Sequence, residues 1–139
     1  MQASFHRSIT NELHDLEKLM NASTNFLEDR EVDAQAVYRI NLALEEMISN
    51  VIRHGYDDYE SHEIQVSIEV GENEVTAIIE DDGHEFNPLK QEGEANPVSL
   101  EKSKIGGRGI QVIKKLLDHV DYRRENGKNI LTIQARRQF

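Results

Sequence analysis

Glu46 and Asn50 stand four residues apart in Leu44-Glu45-Glu46-Met47-Ile48-Ser49-Asn50-Val51-Ile52-Arg53-His54-Gly55. On a helix that spacing stacks one side chain above the other. A carboxylate and a carboxamide so placed offer one ligand a proton acceptor and a neutral oxygen donor. Magnesium held on phosphates favours hard oxygen ligands and takes few of them from the protein. A second segment, Glu74-Val75-Thr76-Ala77-Ile78-Ile79-Glu80, reads as an apolar strand that delivers Asp81 to the turn Asp82-Gly83-His84. A carboxylate aimed from such a turn accepts from an exocyclic amine, and Gly83 lets a flat ring approach the backbone. A third segment, Ile105-Gly106-Gly107-Arg108-Gly109-Ile110, precedes a helical pattern of Ile110, Ile113, Leu117 and Val120. Glycines just before a helix expose N–H groups at the positive end of its dipole and cradle phosphate. No strand immediately precedes them, as the dinucleotide fingerprint requires, and the Gly-Lys-Ser/Thr ending of a P-loop is missing. Each segment alone has an ordinary structural reading: a solvated helix pair, an Asp-Gly turn, a hinge. Together they offer partners for magnesium, for an exocyclic amine and for phosphate.

The elements that must position these groups follow from periodicity. Val37, Ile40, Leu44, Met47, Ile48 and Val51 recur at helical spacing, and Leu42, Glu46, Asn50 and His54 form the row beside that stripe. Asp33 or a neighbour starts this helix, and Gly55 ends it where a left-handed residue is wanted. Ser4 to Ile9 is expected as an edge strand. Thr10 is expected to cap a first helix through about Asp29, with Leu13, Leu16, Met20 and Phe26 on one face. Ile64, Val66, Ile68 and Val70 alternate, Gly71-Glu72-Asn73 turns, and Val75, Ala77 and Ile79 alternate back as a hairpin. Val120 to Glu125 and Asn129 to Ala135 flank Asn126-Gly127, a second hairpin signal. Between them, Asn87 to Lys104 holds both prolines, a glycine and many polar residues, and is expected to be a long loop acting as a lid. The sum is an α+β fold, a two-layer sandwich of a mostly antiparallel sheet with helices on one face.

Composition narrows the classes. One domain, residues 1–139, is expected, enough to bury a core. A net charge of −10 argues against nucleic acid. Lys90, Lys102, Lys104, Arg108, Lys114 and Lys115 nonetheless gather near the glycine-rich segment, Lys114 and Lys115 being read as solvated. No cysteine is present, so thiol chemistry is excluded. The first thirty residues carry charge throughout, with no run fit for a signal peptide or membrane span, and a cytoplasmic location is expected. Six histidines lack ligand spacing, so no histidine-bound metal is expected.

Glu46-x-x-x-Asn50, Asp81-x-Gly83 and Gly107-x-Gly109 together resemble the N box and two glycine boxes of the GHKL ATPase superfamily, which includes gyrase, histidine kinases and MutL. Asn50-Val51-Ile52-Arg53-His54-Gly55-Tyr56, Asp81 through Pro88 and Gly107-Arg108-Gly109-Ile110 are similar to the anti-sigma-factor serine kinases, bacterial regulators of sporulation and stress sigma factors. The likeness runs from about Ala34 to Thr132. It implies a Bergerat-type fold, Mg²⁺ and ATP as cofactors, and a homodimer. It also implies roles. Asn50 would ligate Mg²⁺; Asp81 would accept from the adenine amino group, with Gly83 allowing close approach; Gly107, Arg108 and Gly109 would wrap the phosphates. Glu46 would be the base that deprotonates a serine of the anti-sigma-factor antagonist, Glu45 lying on the other side of the helix from Asn50.

Two other readings stand beside the kinase. A module that sequesters a sigma factor would bind ATP without transferring phosphate, and Glu46 counts against it. A histidine-kinase relative would use Leu13-His14-Asp15-Leu16, but the chain shows no second dimerisation helix or sensor.

Overall fold

The computed structural model describes residues 3–90 and 113–139. In chain order the elements are β1 (Ala3–Thr10), α1 (Leu13–Asp29), α2 (Ala34–His54), β2 (Glu63–Val70), β3 (Glu74–Asp81), β4 (His119–Glu125) and β5 (Lys128–Arg136). A short 3-10 turn covers Pro88–Lys90, and residues 113–116 are helical. The strands form one sheet, ordered β1-β2-β3-β5-β4, with every neighbouring pair antiparallel. Both long helices lie over one face, which gives the expected α+β two-layer arrangement.

The core sits between α2 and the three central strands. Ile64, Val66 and Ile68 of β2, Val75, Ala77 and Ile79 of β3, and Leu131, Ile133 and Ala135 of β5 are buried at alternate positions, as the pleat requires. Above them α2 buries Ala36, Val37, Ile40, Ala43, Leu44, Met47 and Ile48. Truncating a fully buried side chain here, such as Leu44→Ala, is expected to cost about 2–5 kcal/mol. Among the described residues no helix is long and apolar enough to cross a membrane.

Local signals held in most places. Asp33 is the N-cap of α2 and accepts from the Ala36 N–H at 3.0 Å. Asn126 (φ +53°) and Gly127 (φ +76°) both take the left-handed conformation that a two-residue hairpin demands. The strand at Ser4 to Ile9 is found at the sheet edge, one residue longer at each end.

Four expectations are corrected. Thr10 does not cap α1: Glu12 is the N-cap, without a side-chain cap bond, and the bonding runs in reverse. Asp15, in the first turn, accepts from the Thr10 N–H at 3.0 Å and its hydroxyl at 2.8 Å, tying the strand end to the helix. Those bonds hold the Asp15 carboxyl below its ordinary range. The buried stripe of α1 is Leu16, Leu19, Ser23 and Leu27, not the row from Leu13, which is about half exposed. The helical spacing through Val120 overruns, because β4 already begins at His119. There Asp118 stops the helix by accepting from the Arg136 N–H at 2.6 Å and from Arg39 of α2 at 3.3 Å. Finally Gly55 is not left-handed: its φ is −80°. Glycine is needed there because a Cβ would lie 2.6 Å from the Val51 carbonyl oxygen.

Candidate functional site

A cavity of about 120 Å³ opens between α2 and the ends of β3, β4 and β5. Asn50 and Val51 of α2, Asp81 of β3, Phe86, and Tyr122 and Leu131 of the last hairpin are among its walls. The lining is mainly apolar with a few polar groups, as suits a flat heterocycle with a polar edge.

Strand parity delivers the polar groups. Asp81 continues the inward row Val75, Ala77, Ile79, and Asn129 begins the inward row Leu131, Ile133, Ala135. The β3–β5 register sets Asp81 opposite Asn129. Asp81 is buried and its Oδ1 accepts from the Gly83 N–H and from Asn129 Nδ2, both at 2.9 Å. Among the described residues no hydrogen bond reaches Oδ2, which leaves that oxygen for a ligand. Burial raises the Asp81 pKa above the ordinary carboxylate value; the two hydrogen bonds oppose the shift.

Gly83 packs closely within the protein itself. It lies against the end of α2, where a Cβ would come within 2.7 Å of the Gly55 carbonyl oxygen. The same carbonyl accepts from the His84 N–H at 2.9 Å. Close approach of the helix terminus alone is enough to require glycine there. Nearby, the Tyr56 ring stacks on His62 at 4.0 Å. His62 reaches the Asp58 carboxylate at 2.8 Å and Asp82 at 3.4 Å, bracing the α2–β2 connection against the β3 turn.

Along α2 the polar groups have a different character. Asn50 is buried, and neither its Oδ1 nor its Nδ2 has a hydrogen-bond partner among the described residues. One turn earlier Glu46 is half-buried, and its Oε2 is likewise buried without a partner. Burial raises the Glu46 pKa above its ordinary value of 4.5, Arg53 pulls it back, and Glu45 adds to the rise. Glu45 itself is exposed. An orphaned buried carboxamide costs free energy unless something binds it. Asn50 therefore fits a ligand oxygen donor, and a hard cation on phosphates is such a partner.

Gly107, Arg108 and Gly109, with Lys102 and Lys104, lie outside the described residues, as does most of the Asn87 to Lys104 segment. Its first residues form the 3-10 turn, where Asn87 accepts from the Leu89 N–H at 2.9 Å. Lys114, read as solvated, instead donates to the Leu89 carbonyl at 3.2 Å and ties its helical turn to the 3-10 turn.

Sequence reasoning missed Asn129, Tyr122 and Arg124. Asn129 Oδ1 accepts from Tyr122 at 2.5 Å, from Arg124 at 3.2 Å and from the Phe86 N–H at 3.3 Å. Its Nδ2 also donates to the His84 carbonyl at 2.7 Å. One signal was available: a lone asparagine at an inward position of an otherwise apolar alternating strand.

The two-layer fold and a cleft above the sheet, walled by a helix and the strand ends, define a class. The family model for the histidine kinase-like ATPase domain matches residues 9–135, and the chain belongs to that family. It is 30% identical over 101 residues to the serine-protein kinase RsbW of Oceanobacillus iheyensis, covering 70% of this chain and 64% of that protein's length. It is 27% identical over 108 residues to the anti-sigma F factor of Clostridium novyi, covering 76% of each. A crystal structure of the RsbU and RsbW domains of a Mycobacterium tuberculosis protein superposes with a TM-score of 0.68 at 15% identity. That match covers 97% of this chain and 32% of the other, and it shows the shared fold.

Proposed function

We propose that this chain is a serine kinase that binds Mg-ATP in the cleft and phosphorylates a partner, the antagonist of an anti-sigma factor. The observation that carries this reading is the pair of partnerless buried groups, Glu46 Oε2 and the Asn50 carboxamide, one turn apart on α2. Asp81 Oδ2 would accept from the adenine amino group. Asn50 would hold Mg²⁺, and Gly107, Arg108 and Gly109 would surround the phosphates. When bound, ATP supplies the phosphoryl group and Mg²⁺ the charge that neutralises it. Glu46 takes the proton from the partner's serine hydroxyl as that oxygen bonds to phosphorus and ADP leaves. Burial raises its pKa, which makes it a better proton acceptor than an ordinary carboxylate. Relatives named as serine-protein kinases support the transfer, and one named as an anti-sigma factor supports a sigma factor as a second partner. A homodimer is part of the same reading, with the outer edge of β1 free to pair in the described fold.

Incubation with labelled ATP, Mg²⁺ and an anti-sigma-factor antagonist protein tests the proposal. Acid-stable phosphate on an antagonist serine is the expected result. Binding of ATP and partner without any phosphoserine would leave sequestration standing. Acid-labile phosphate on the protein's own His14, exposed on α1, would favour the histidine-kinase reading. Sedimentation reporting only monomer would remove the dimer.

A further inference from the structure

Asn129 occupies a position where the surrounding strand asks for an apolar side chain, and its amide orientation is fixed by chemistry. Two of its neighbours can only donate: the Arg124 guanidinium at 3.2 Å and the Phe86 N–H at 3.3 Å, both on Oδ1. The His84 carbonyl, which can only accept, lies 2.7 Å from Nδ2. Flipping the amide would set donors against donors and acceptor against acceptor. Arg124 is itself held by its bond to the Gly83 carbonyl at 2.8 Å. Nδ2 is thus committed to donate, and Asp81 Oδ1 must accept from it, as it does from the Gly83 N–H.

We propose that Asn129 is the positioning residue that sets base selectivity, by fixing which atom of residue 81 faces the ligand. With both donors on Oδ1, Asp81 leaves Oδ2, an acceptor in the carboxylate form, for the cleft. An acceptor there matches a base with an exocyclic amine and repels one with a carbonyl at the same position. This selectivity rests on the reading of the cleft as a nucleotide site. It yields an outcome that a merely structural asparagine would not. In Asp81→Asn, the oxygen of the new amide is drawn to the same two donors, so its NH₂ faces the cleft. The ligand-facing group changes from acceptor to donor, and the preference reverses. In Asn129→Asp, the committed donor is lost, and the one proton of the carboxyl pair lies either between the two groups, leaving Oδ2 an acceptor, or on Oδ2, making it a donor toward the ligand. Selectivity then collapses without reversing.

The test is calorimetric titration, with Mg²⁺ present, of ATP and of inosine triphosphate, in which a carbonyl replaces the adenine amino group. Wild type is expected to favour ATP by roughly tenfold or more, the size of one mismatched polar contact. Asp81→Asn is expected to favour the inosine nucleotide, and Asn129→Asp to bring the two within about threefold of each other. A wild type that binds neither nucleotide would overturn the nucleotide reading itself. A wild type that favours ATP while Asp81→Asn keeps that preference would overturn the role of Asn129 alone. So would an Asn129→Asp variant that lowers both affinities by the same factor. If Asn129→Asp fails to fold, Asp81→Asn still decides the matter, because its partners are unchanged.

Discussion

The two ends of the cleft are built on opposite principles. Around Asp81 nearly every polar atom is engaged: Oδ1 accepts twice, and Asn129 of β5 binds five groups on β3, β4 and the segment after β3. Around Glu46 and Asn50, one turn apart on α2, buried polar atoms have no partner among the described residues. The first end is rigid before any ligand arrives, which suits recognition of a fixed shape. The second stores unmet polar demand, which a ligand or a reacting proton can satisfy. Natural proteins tolerate such cost mainly where function needs it.

The largest expected effect is at the unsatisfied end. Glu46→Gln keeps the shape of the side chain and loses only its ability to accept a proton. Phosphate transfer to the antagonist should fall roughly 10²–10⁴-fold with nucleotide affinity near wild type. Equal losses in binding and transfer would show that Glu46 shapes the site and does not act as the base.

The same substitution made at each end should have opposite signs. Asn129→Leu strands the Tyr122 hydroxyl, Arg124, the His84 carbonyl and one side of Asp81, and should cost on the order of 3 kcal/mol. Asn50→Leu removes a carboxamide that has nothing to bond, and should stabilise the nucleotide-free protein by about 1 kcal/mol. It should also abolish Mg-dependent binding. Urea unfolding without nucleotide measures both. Matching signs would erase the contrast between the ends.

A smaller effect follows from the raised Glu46 pKa. Burial favours the protonated form in the folded state, so this group's stabilising contribution is complete below its ordinary value of 4.5. The contribution is lost as pH rises through the raised folded value. Glu46→Gln stays neutral and should gain stability on wild type across that window, then hold a constant lead. A lead that does not change with pH would contradict the shift. The smallest change is expected for Arg53→Ala. Removing the cation that pulls the Glu46 pKa down should move the acid limb of the transfer rate to higher pH, with little change at neutrality. An unmoved limb would place Arg53 outside the site.

Sequence periodicity was enough for the sheet and for α2. Alternation in Ile64–Val70 and Val75–Ile79 and the 3.6-residue stripe of Val37–Ile48 each permit one way of burying apolar surface. It was also enough to single out Glu46, Asn50 and Asp81, because helical spacing and strand parity are local properties of the chain. Periodicity misplaced the stripe of α1 by treating Leu13 as core. Which face of a short helix is buried depends on the partner it meets, here α2 and β1.

What the sequence alone determined is the sheet and the helix α2, the elements that carry the groups proposed to react. Tertiary structure decided what holds those groups. Asn129 lies forty-eight residues from Asp81, and only the β3–β5 register brings its amide within 2.9 Å of the carboxylate. Gly83 lies where the end of α2 and the turn after β3 touch, and a Cβ there would meet the Gly55 carbonyl oxygen. Local patterns record which face each residue shows, because backbone geometry repeats along the chain. Hydrogen-bond partners distant in sequence leave no such period, and only packing assigns them.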